Sequence, residues 1–226
     1  MRGLLLDVYG TLVHEDDVSI ADITGHIHRY AGVEVDPETI GRAWSAAFFA
    51  MCDRSFGANF LTQRDLALIA LKEVLDAYKA PLDASLLLER QIAHWIAPPI
   101  FADAIPFLDR VAALGIPICI VSNIDRADVE AALGYHGLSF EHIVTSEDAR
   151  AYKPRPEMFD MAAARLGLAP VELLHVGDSR RSDVVGAGAA GIPVAWVNRT
   201  GKTASGDPAA DHVVSDLTEL ARLLGW

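Results

Sequence analysis

The stretch that decides the fold is LLLDVYGTL at residues 4–12, an apolar run that ends in Asp7 and continues into a turn. A short apolar run bounded by turn residues is typical of a strand buried on both faces of a sheet. Asp7 would then stand at the tip of that strand, Gly10 frees the backbone to turn, and Thr11 brings a hydroxyl. Alone, the string predicts only a strand and a turn, so the rest of the chain must decide whether the acid belongs to a site.

Further short apolar runs follow at intervals, and most of them end abruptly in a polar residue. They lie at residues 116–121, 142–144, 173–176, 193–197 and 212–214, and helix-length stretches lie at 105–114, 126–133, 157–166, 183–190 and 217–224. This alternation predicts an α/β fold, a doubly wound, Rossmann-like parallel sheet covered by helices on both faces. Ligands of such sheets bind beyond the carboxyl ends of the strands, where Asp7, Ser122 and Asp178 would all point.

Residues 15–98 differ in sequence pattern from the rest of the chain. They lack β-branched strand runs, and their apolar residues recur at helical spacing after motifs typical of helix starts. Asp36 precedes Pro37 as an N-cap precedes a first helical proline, and residues 62–65, TQRD, have the form of a capping box. The segment is therefore predicted to be an all-helical insertion. The expected domains are an α/β core at 1–14 and 99–226 and a helical cap at 15–98, with hinges near residue 14 and residues 100–105.

Composition excludes several classes of protein. The chain has 226 residues, 51% of them hydrophobic, and 19 basic against 31 acidic residues leave a net charge of −12 with no basic cluster. A nucleic-acid groove or an anionic membrane surface would need such a cluster, so neither partner is expected. Two cysteines are too few for a disulfide framework, and no apolar window is long enough for a membrane span. We expect a cytoplasmic monomer or homodimer.

The polar residues that follow the other strands form a set with Asp7. They are Ser122-Asn123, Lys153-Pro154 and the segment 177–183, GDSRRSD. In this order and on these strands, the set resembles the haloacid dehalogenase superfamily of hydrolases. The resemblance covers the whole chain, including a helical cap inserted after the first motif.

The acids of this set imply a metal. A phosphate dianion will not approach three carboxylates without a cation, so Asp7, Asp178 and Asp183 at one sheet edge indicate an oxygen-liganded Mg²⁺. Asp7 could then attack phosphorus and form an aspartyl phosphate, which splits hydrolysis into two easier steps. The expected activity is a Mg²⁺-dependent phosphohydrolase that acts on a small-molecule phosphate ester.

Four further residues are expected to contact the phosphoryl group or the nucleophile. Thr11 and Ser122 would supply hydroxyl and backbone donors, with Asn123 beside them. Lys153 would place a positive charge against Asp7 and against the charge that develops in the transition state. Taken singly, Thr11 is equally typical of a helix cap, Ser122 of a turn and Lys153 of a solvated lysine.

Tyr9 departs from the phosphatase pattern, in which a second Asp at this position is the general acid and base. The resemblance implies that the Tyr9 backbone carbonyl still binds Mg²⁺, but a phenol with a pKa near ~10 is a poor base for activating water. Asp-x-Tyr-Gly-Thr also resembles the 2-haloacid dehalogenases, in which Asp7 would displace halide from carbon without a metal. Against that alternative, the branch has Ser where Asp178 stands and Tyr where Phe159 stands.

Substrate selectivity is expected to come from the loop at residues 52–61, where Arg54, Asn59 and Phe60 combine charge, hydrogen bonding and an apolar face. An ordinary polar connection would show the same composition. A third alternative for the whole chain is a catalytically weak protein that binds phosphate or a protein partner. His175, next to Val176 on a buried strand, is expected to be a core histidine with its hydrogen bonds satisfied.

Overall fold

The centre of the molecule is a parallel sheet of six strands in the order β3-β2-β1-β4-β5-β6. A computed structural model describes residues 1–203 and 209–226. The strands are β1 (Gly3–Leu6), β2 (Ile118–Ser122), β3 (His142–Thr145), β4 (Leu173–Gly177), β5 (Val194–Val197) and β6 (His212–Val214). The reversal of strand order at β1 makes the sheet doubly wound, so the predicted α/β class and all six strands are confirmed.

Ten α-helices accompany this sheet in the described part of the chain. They are α1 (Asp17–Tyr30), α2 (Pro37–Arg54), α3 (Gln63–Ala77), α4 (Ala84–Ile96), α5 (Ala104–Ala113), α6 (Arg126–Tyr135), α7 (Ser146–Ala149), α8 (Glu157–Leu166), α9 (Val185–Ala189) and α10 (Leu217–Leu223). Helices α1 to α4 form the inserted segment between β1 and the rest of the core. A π-helical turn, Arg180–Val184, leads into α9. None of the helices described is long and apolar enough to cross a membrane.

Strand β1 lies inside the sheet, and its apolar side chains suit burial on both faces. All four of its residues are buried, and it pairs with β2 on one side and β4 on the other. Leu6 stands opposite Ile120 of β2 and Val176 of β4. The residues that follow these strands therefore leave the sheet at one edge, which brings Asp7, Ser122 and Asp178 together as the sequence predicts.

The starts of two cap helices follow from local side-chain chemistry. The Asp36 carboxylate accepts a hydrogen bond of 2.8 Å from the Thr39 amide at the start of α2. The Thr62 hydroxyl accepts one of 3.2 Å from the Asp65 amide at the start of α3. Each bond satisfies an amide that a helix start otherwise leaves without a partner, so both predicted helix starts are confirmed.

Two chain segments connect the inserted helices to the core, and they run side by side. The His14 amide donates to the Pro99 carbonyl at 2.8 Å, and the Phe101 amide donates to the Leu12 carbonyl at 3.0 Å. The His14 ring stacks on Phe101, with centroids 3.9 Å apart. This paired connection lies where the hinge is expected; the domain boundaries and relative motion of cap and core stay predictions.

The start of α3 also contacts the core directly. The Asp125 carboxylate, which precedes α6, accepts hydrogen bonds from the amides of Gln63 and Arg64 at 2.8 and 3.1 Å. The Arg64 guanidinium is paired with the buried Asp128 carboxylate. A core helix and a cap helix thus meet through charge-assisted bonds at one side of the cleft between them.

Candidate active site

A chain of four buried ionisable groups lies at the carboxyl edge of the sheet. Lys153 Nζ donates to Asp7 Oδ1 at 2.8 Å, to Asp183 Oδ1 at 2.7 Å and to the Val121 carbonyl at 2.9 Å. His175 Nε2 donates to the same Asp183 oxygen at 2.8 Å. Lys153 therefore bridges the predicted nucleophile and a predicted metal ligand, which places three predicted site residues in direct contact.

The protonation states in this chain follow from burial and from the neighbouring charges. Burial raises the pKa of Asp7 to about 6, although Lys153 opposes the rise. Burial alone would also raise the pKa of Asp183, but Lys153 and His175 hold that pKa well below its usual range. The Lys153 pKa is raised because Asp183 and Asp7 outweigh the effect of its burial. Near pH 7 the chain therefore holds an ammonium between two carboxylates.

His175 is fully buried, as expected of a core histidine, but only one of its ring nitrogens is satisfied. Its Nε2 contacts Asp183, whereas its Nδ1 has no partner among the described residues. The Ser179 amide donates to the second oxygen of Asp183 at 2.9 Å. His175 therefore orients a predicted metal ligand, a role that its place on a buried strand could not reveal.

Two glycines make room for the acidic groups. A side chain at Gly10, which has a φ of 80°, would meet the Asp178 carboxylate at 2.4 Å, and one at Gly177 would meet Asp183 at 2.3 Å. Backbone without a Cβ is needed for approaches this close. The arrangement leaves one carboxylate oxygen each of Asp7, Asp178 and Asp183 within 4.8 Å of one another.

The three carboxylates fit a divalent cation. Within the described ranges, the Asp178 carboxylate accepts no hydrogen bond. Burial, Asp7 and Asp183 raise its pKa to about 9, so the acid is costly to ionise without a cation beside it. Hard oxygen donors held this close together are the ligands that Mg²⁺ prefers.

Tyr9 does not provide the proton chemistry that its position would require. Its hydroxyl donates to the Trp95 carbonyl of α4 at 2.6 Å. Burial raises the Tyr9 pKa above its usual value, and the nearby acids Asp128 and Asp7 raise it further. The phenol therefore stays protonated with its hydrogen pointed at the cap, so Tyr9 links the core to α4.

A cavity of about 230 Å³ lies between the acidic sheet edge and the inserted helices. We call its core side the floor; Asp7, Ser122, Asn123, Lys153, Asp178 and Asp183 lie there. We call its cap side the roof; its apolar members include Ile20, Trp44, Phe48, Phe49, Cys52 and Trp95. The site therefore joins a charged surface to an aromatic one.

The Asn123 side chain holds the neighbouring lysine segment. Its Oδ1 accepts from the Lys153 amide at 2.7 Å, and its Nδ2 donates to the Lys153 carbonyl at 3.1 Å. Ser122 lines the cavity at the end of β2. Both residues lie at the predicted place, but the amide of Asn123 is occupied by backbone, so it positions Lys153.

The structure does not bring four of the predicted binding residues to the cavity. Thr11 is fully buried, and its hydroxyl has no partner among the described residues. Arg54 and Asn59 are exposed, and Phe60, which does not line the cavity, stacks on Tyr152 with centroids 5.4 Å apart.

In this structure core contacts hold most of the 52–61 loop aside from the cavity, which only Cys52 of this segment lines, so the role of the loop in selectivity stays a prediction. The Gly57 amide donates to the Arg150 carbonyl, and Arg150 Nε donates to the Gly57 carbonyl, both at 2.9 Å. The Tyr152 hydroxyl also donates to the Leu61 carbonyl at 2.9 Å. The loop is thus fastened beside the cavity, and helix side chains form the roof.

Sequence reasoning missed two acids on the cavity wall, Glu15 and Asp16. The Asp16 carboxylate accepts from Gln91 Nε2 at 2.7 Å and from Trp95 Nε1 at 2.8 Å, so it is satisfied by α4. The Glu15 carboxylate makes no hydrogen bond within the described residues, and burial together with Asp17 raises its pKa. The sequence could have pointed to both acids, because they lie directly after the first turn. The chain must pass the site there to reach the inserted helices.

Comparison with known proteins agrees with this architecture. The family model of haloacid dehalogenase-like hydrolases matches residues 1–191. An (S)-2-haloacid dehalogenase of Pseudomonas sp. (strain CBS-3) is 27% identical over 100% of this chain and 96% of its own length. A phosphoserine phosphatase of Thermus thermophilus is 29% identical over 97% of this chain and 98% of its own. A solved dehalogenase structure superposes with a TM-score of 0.79 at 24% identity, covering 100% of this chain and 98% of its own.

Proposed function

Because the chain belongs to the haloacid dehalogenase-like hydrolases, we propose that it is a Mg²⁺-dependent phosphohydrolase that uses Asp7 as its nucleophile. The observation that carries the proposal is the cluster of Asp7, Asp178 and Asp183 on the cavity floor. An anionic substrate meets net negative charge there unless a divalent cation is bound.

The three carboxylates and the Tyr9 backbone carbonyl would hold the cation, which supplies the charge neutralisation that lets a phosphate dianion approach. Lys153 keeps the Asp7 carboxylate ionised and oriented through their 2.8 Å hydrogen bond. The Asp7 oxygen attacks phosphorus, an aspartyl phosphate forms, and the ester oxygen leaves with the bonding pair. Water then attacks the aspartyl phosphate, which releases inorganic phosphate and restores Asp7.

Both steps need a proton to move, first to the leaving oxygen and then from the attacking water. The Tyr9 hydroxyl is committed to the Trp95 carbonyl. We assign the proton transfer to Glu15, because this residue lines the cavity and its carboxylate accepts no hydrogen bond from the described residues. Its side chain is exposed to solvent, and partial desolvation together with Asp17 raises its pKa. A raised pKa makes a carboxylate a stronger base and lets the carboxylic acid keep its proton to higher pH.

A second candidate is a 2-haloacid dehalogenase, and several relatives that cover nearly the whole chain have that activity. Its substrate would carry a carboxylate into the cavity. Among the described lining residues the cations are Lys153, engaged by two floor carboxylates, and Arg181, paired with Asp53. The substrate carboxylate would therefore find no unengaged cation, and this favours the phosphohydrolase.

A paired assay separates the candidates. We expect the purified protein to hydrolyse p-nitrophenyl phosphate only with Mg²⁺ and to release no chloride from 2-chloropropionate. Asp7→Asn is the matched control, because it removes the nucleophile of either reaction and keeps the side-chain shape. Metal-independent chloride release without phosphatase activity would establish the second candidate, and inactivity in both assays would favour a binding protein.

The setting of the enzyme is part of the same proposal. Both cysteines are buried free thiols, which is compatible with the reducing cytoplasm that we propose as its location. We propose a small-molecule phosphate ester as the substrate, with no nucleic-acid or membrane partner, and a monomer or homodimer as the working form.

A further inference from the structure

The roof of the cavity contrasts with its floor in chemistry. Trp44 and Phe48 of α2 and Trp95 of α4 face the cavity together with Ile20 of α1. Trp44 and Trp95 are buried at 5% and 3% exposure, so their rings are fixed in the cap. The part of a substrate that extends away from the floor therefore meets aromatic and aliphatic surface.

Charge on the cavity wall excludes a second anionic group. Lys153 and Arg181 already have carboxylate partners, and Asp16 is satisfied by α4. Glu15 adds an exposed carboxylate that forms no ion pair with a described residue, although Lys202 is near enough to lower its pKa. A carboxylate or second phosphate on the leaving group would meet Glu15 and Asp16 and no unengaged cation among the described lining residues, which is unfavourable.

Cavity size limits the substrate further. The volume of about 230 Å³ is smaller than the roughly 300–1,000 Å³ of sites for drug-sized ligands. Part of that volume must hold the phosphoryl group above Asp7. The space that is left against the roof suits a short organic group.

We infer that the alcohol released by this enzyme is small, uncharged and largely apolar, with its carbon skeleton packed against Trp44, Phe48 and Trp95. This inference rests on the proposed phosphohydrolase function and names the substrate class of the same site. It sets the chain apart from hydrolases whose phosphate esters carry a carboxylate, because an apolar roof favours burial of methylene groups and the acids on the cavity wall repel a second negative charge.

The test uses three five-carbon phosphate monoesters that differ only at the far end: pentyl phosphate, 5-phosphooxypentanoate and 5-aminopentyl phosphate. With saturating Mg²⁺, we expect kcat/KM for the pentyl ester to exceed that for the carboxylate by about tenfold or more, with the amine between them. From methyl to pentyl phosphate, kcat/KM should rise about three- to fourfold per methylene group. The carboxylate or the amine as best substrate, or no rise with chain length, would overturn the inference.

Failure of the inference can be told apart from failure of the function. Hydrolysis of all three esters at equal rates would refute only the apolar substrate class, whereas no hydrolysis of any ester with Mg²⁺ would refute the phosphohydrolase itself. The wild-type series needs no variant, so it decides the matter even if a substituted protein does not fold.

A substitution in the roof provides an independent arm. Phe48→Arg places a cation opposite the floor and should raise the preference for the carboxylate ester over the pentyl ester by about tenfold or more. Leu86→Arg is the matched control, because Leu86 is 60% exposed on α4 and does not line the cavity. Circular dichroism and thermal unfolding establish that each variant is folded; a folded Phe48→Arg with unchanged preference would contradict the roof assignment.

Discussion

The floor and the roof of the cavity are built in different ways. Most of the floor consists of residues at the ends of parallel strands, where pairing of β1 with β2 and β4 fixes the backbone. Lys153 and Asp183 come from the segments that follow β3 and β4. The roof consists of side chains from the faces of α1, α2 and α4, whose orientation depends on how the inserted helices pack. The ends of the strands therefore set the chemistry of this site, and the faces of the inserted helices set which substrates it accepts.

The largest expected effect comes from the floor. Asp7→Asn should lower phosphate release by about 10⁴-fold or more, because it removes the nucleophile. The change keeps the side-chain volume, and Lys153 can still donate to the remaining oxygen. Phosphate release is measured under saturating Mg²⁺, with the unfolding temperature as the control for folding. Substantial residual turnover in a folded variant would mean that Asp7 is not the nucleophile.

The second effect tests whether the floor needs a cation. Asp178→Asn should lower Mg²⁺-dependent activity by about 10²-fold or more, because a charged metal ligand is lost. It should also reduce the rise in unfolding temperature that Mg²⁺ causes in the wild type. Equal stabilisation of both proteins by Mg²⁺ in differential scanning calorimetry would show that Asp178 does not bind the metal.

The pH dependence of that stabilisation has a definite sign. The Asp178 pKa is raised from 3.8 to about 9 by burial and by Asp7 and Asp183, so the folded protein holds this proton more tightly than the unfolded chain. Stability of the metal-free protein should therefore fall as pH rises from about 4 toward 9. Mg²⁺ should stabilise the wild type more at pH 8 than at pH 6, because its ligands must be deprotonated. Stabilisation independent of pH would contradict this account.

The difference between floor and roof also explains what could be predicted from the sequence. Asp7 and Asp178 directly follow short buried strands, and Ser122 ends another. Continuous apolar runs mark such strands in the sequence, so they show where the chain leaves the sheet. Lys153 follows β3 by a short helix and a turn, and the Asn123 side chain at the end of β2 holds its backbone in reach of Asp7. The fold and the charged floor were therefore predictable from local patterns.

The roof was not predictable, because no local pattern specifies how a cap loop packs on the core. Arg54 and Asn59 were chosen for their chemistry, but the bonds between Gly57 and Arg150 hold their loop aside. Phe48 has the spacing of an ordinary core residue of α2, and only the packing of that helix brings it to the cavity. Thr11 turns inward for a different reason, because local backbone bonds such as that from Leu12 N to Val8 O at 2.8 Å set the tight turn after β1.

The third prediction concerns Glu15, which lies on the wall between floor and roof. Glu15→Gln should lower kcat for alkyl phosphates by about 10²-fold, because their leaving oxygen needs a proton. For p-nitrophenyl phosphate the fall in kcat should be smaller, because p-nitrophenolate leaves as a stable anion without a proton. The remaining fall would come from slower activation of water in the second step. Asp16→Asn is the comparison variant, because Asp16 lines the same wall with its carboxylate bonded to α4. Equal losses with both esters would remove Glu15 from the departure of the leaving group.

The smallest effect concerns Tyr9, which joins floor to roof. Tyr9→Phe removes the donor to the Trp95 carbonyl, which should cost about 1 kcal/mol and lower the unfolding temperature by roughly 2–4 °C. Turnover should change by less than about threefold, because a phenol whose proton is committed to the cap contributes no acid or base catalysis. Rapid-quench measurement of the phosphoenzyme isolates the two chemical steps. If Tyr9→Phe slowed formation or breakdown of the phosphoenzyme 100-fold while the unfolding temperature stayed the same, the phenol itself would take part in the reaction, and proton transfer would belong to the floor instead of to Glu15.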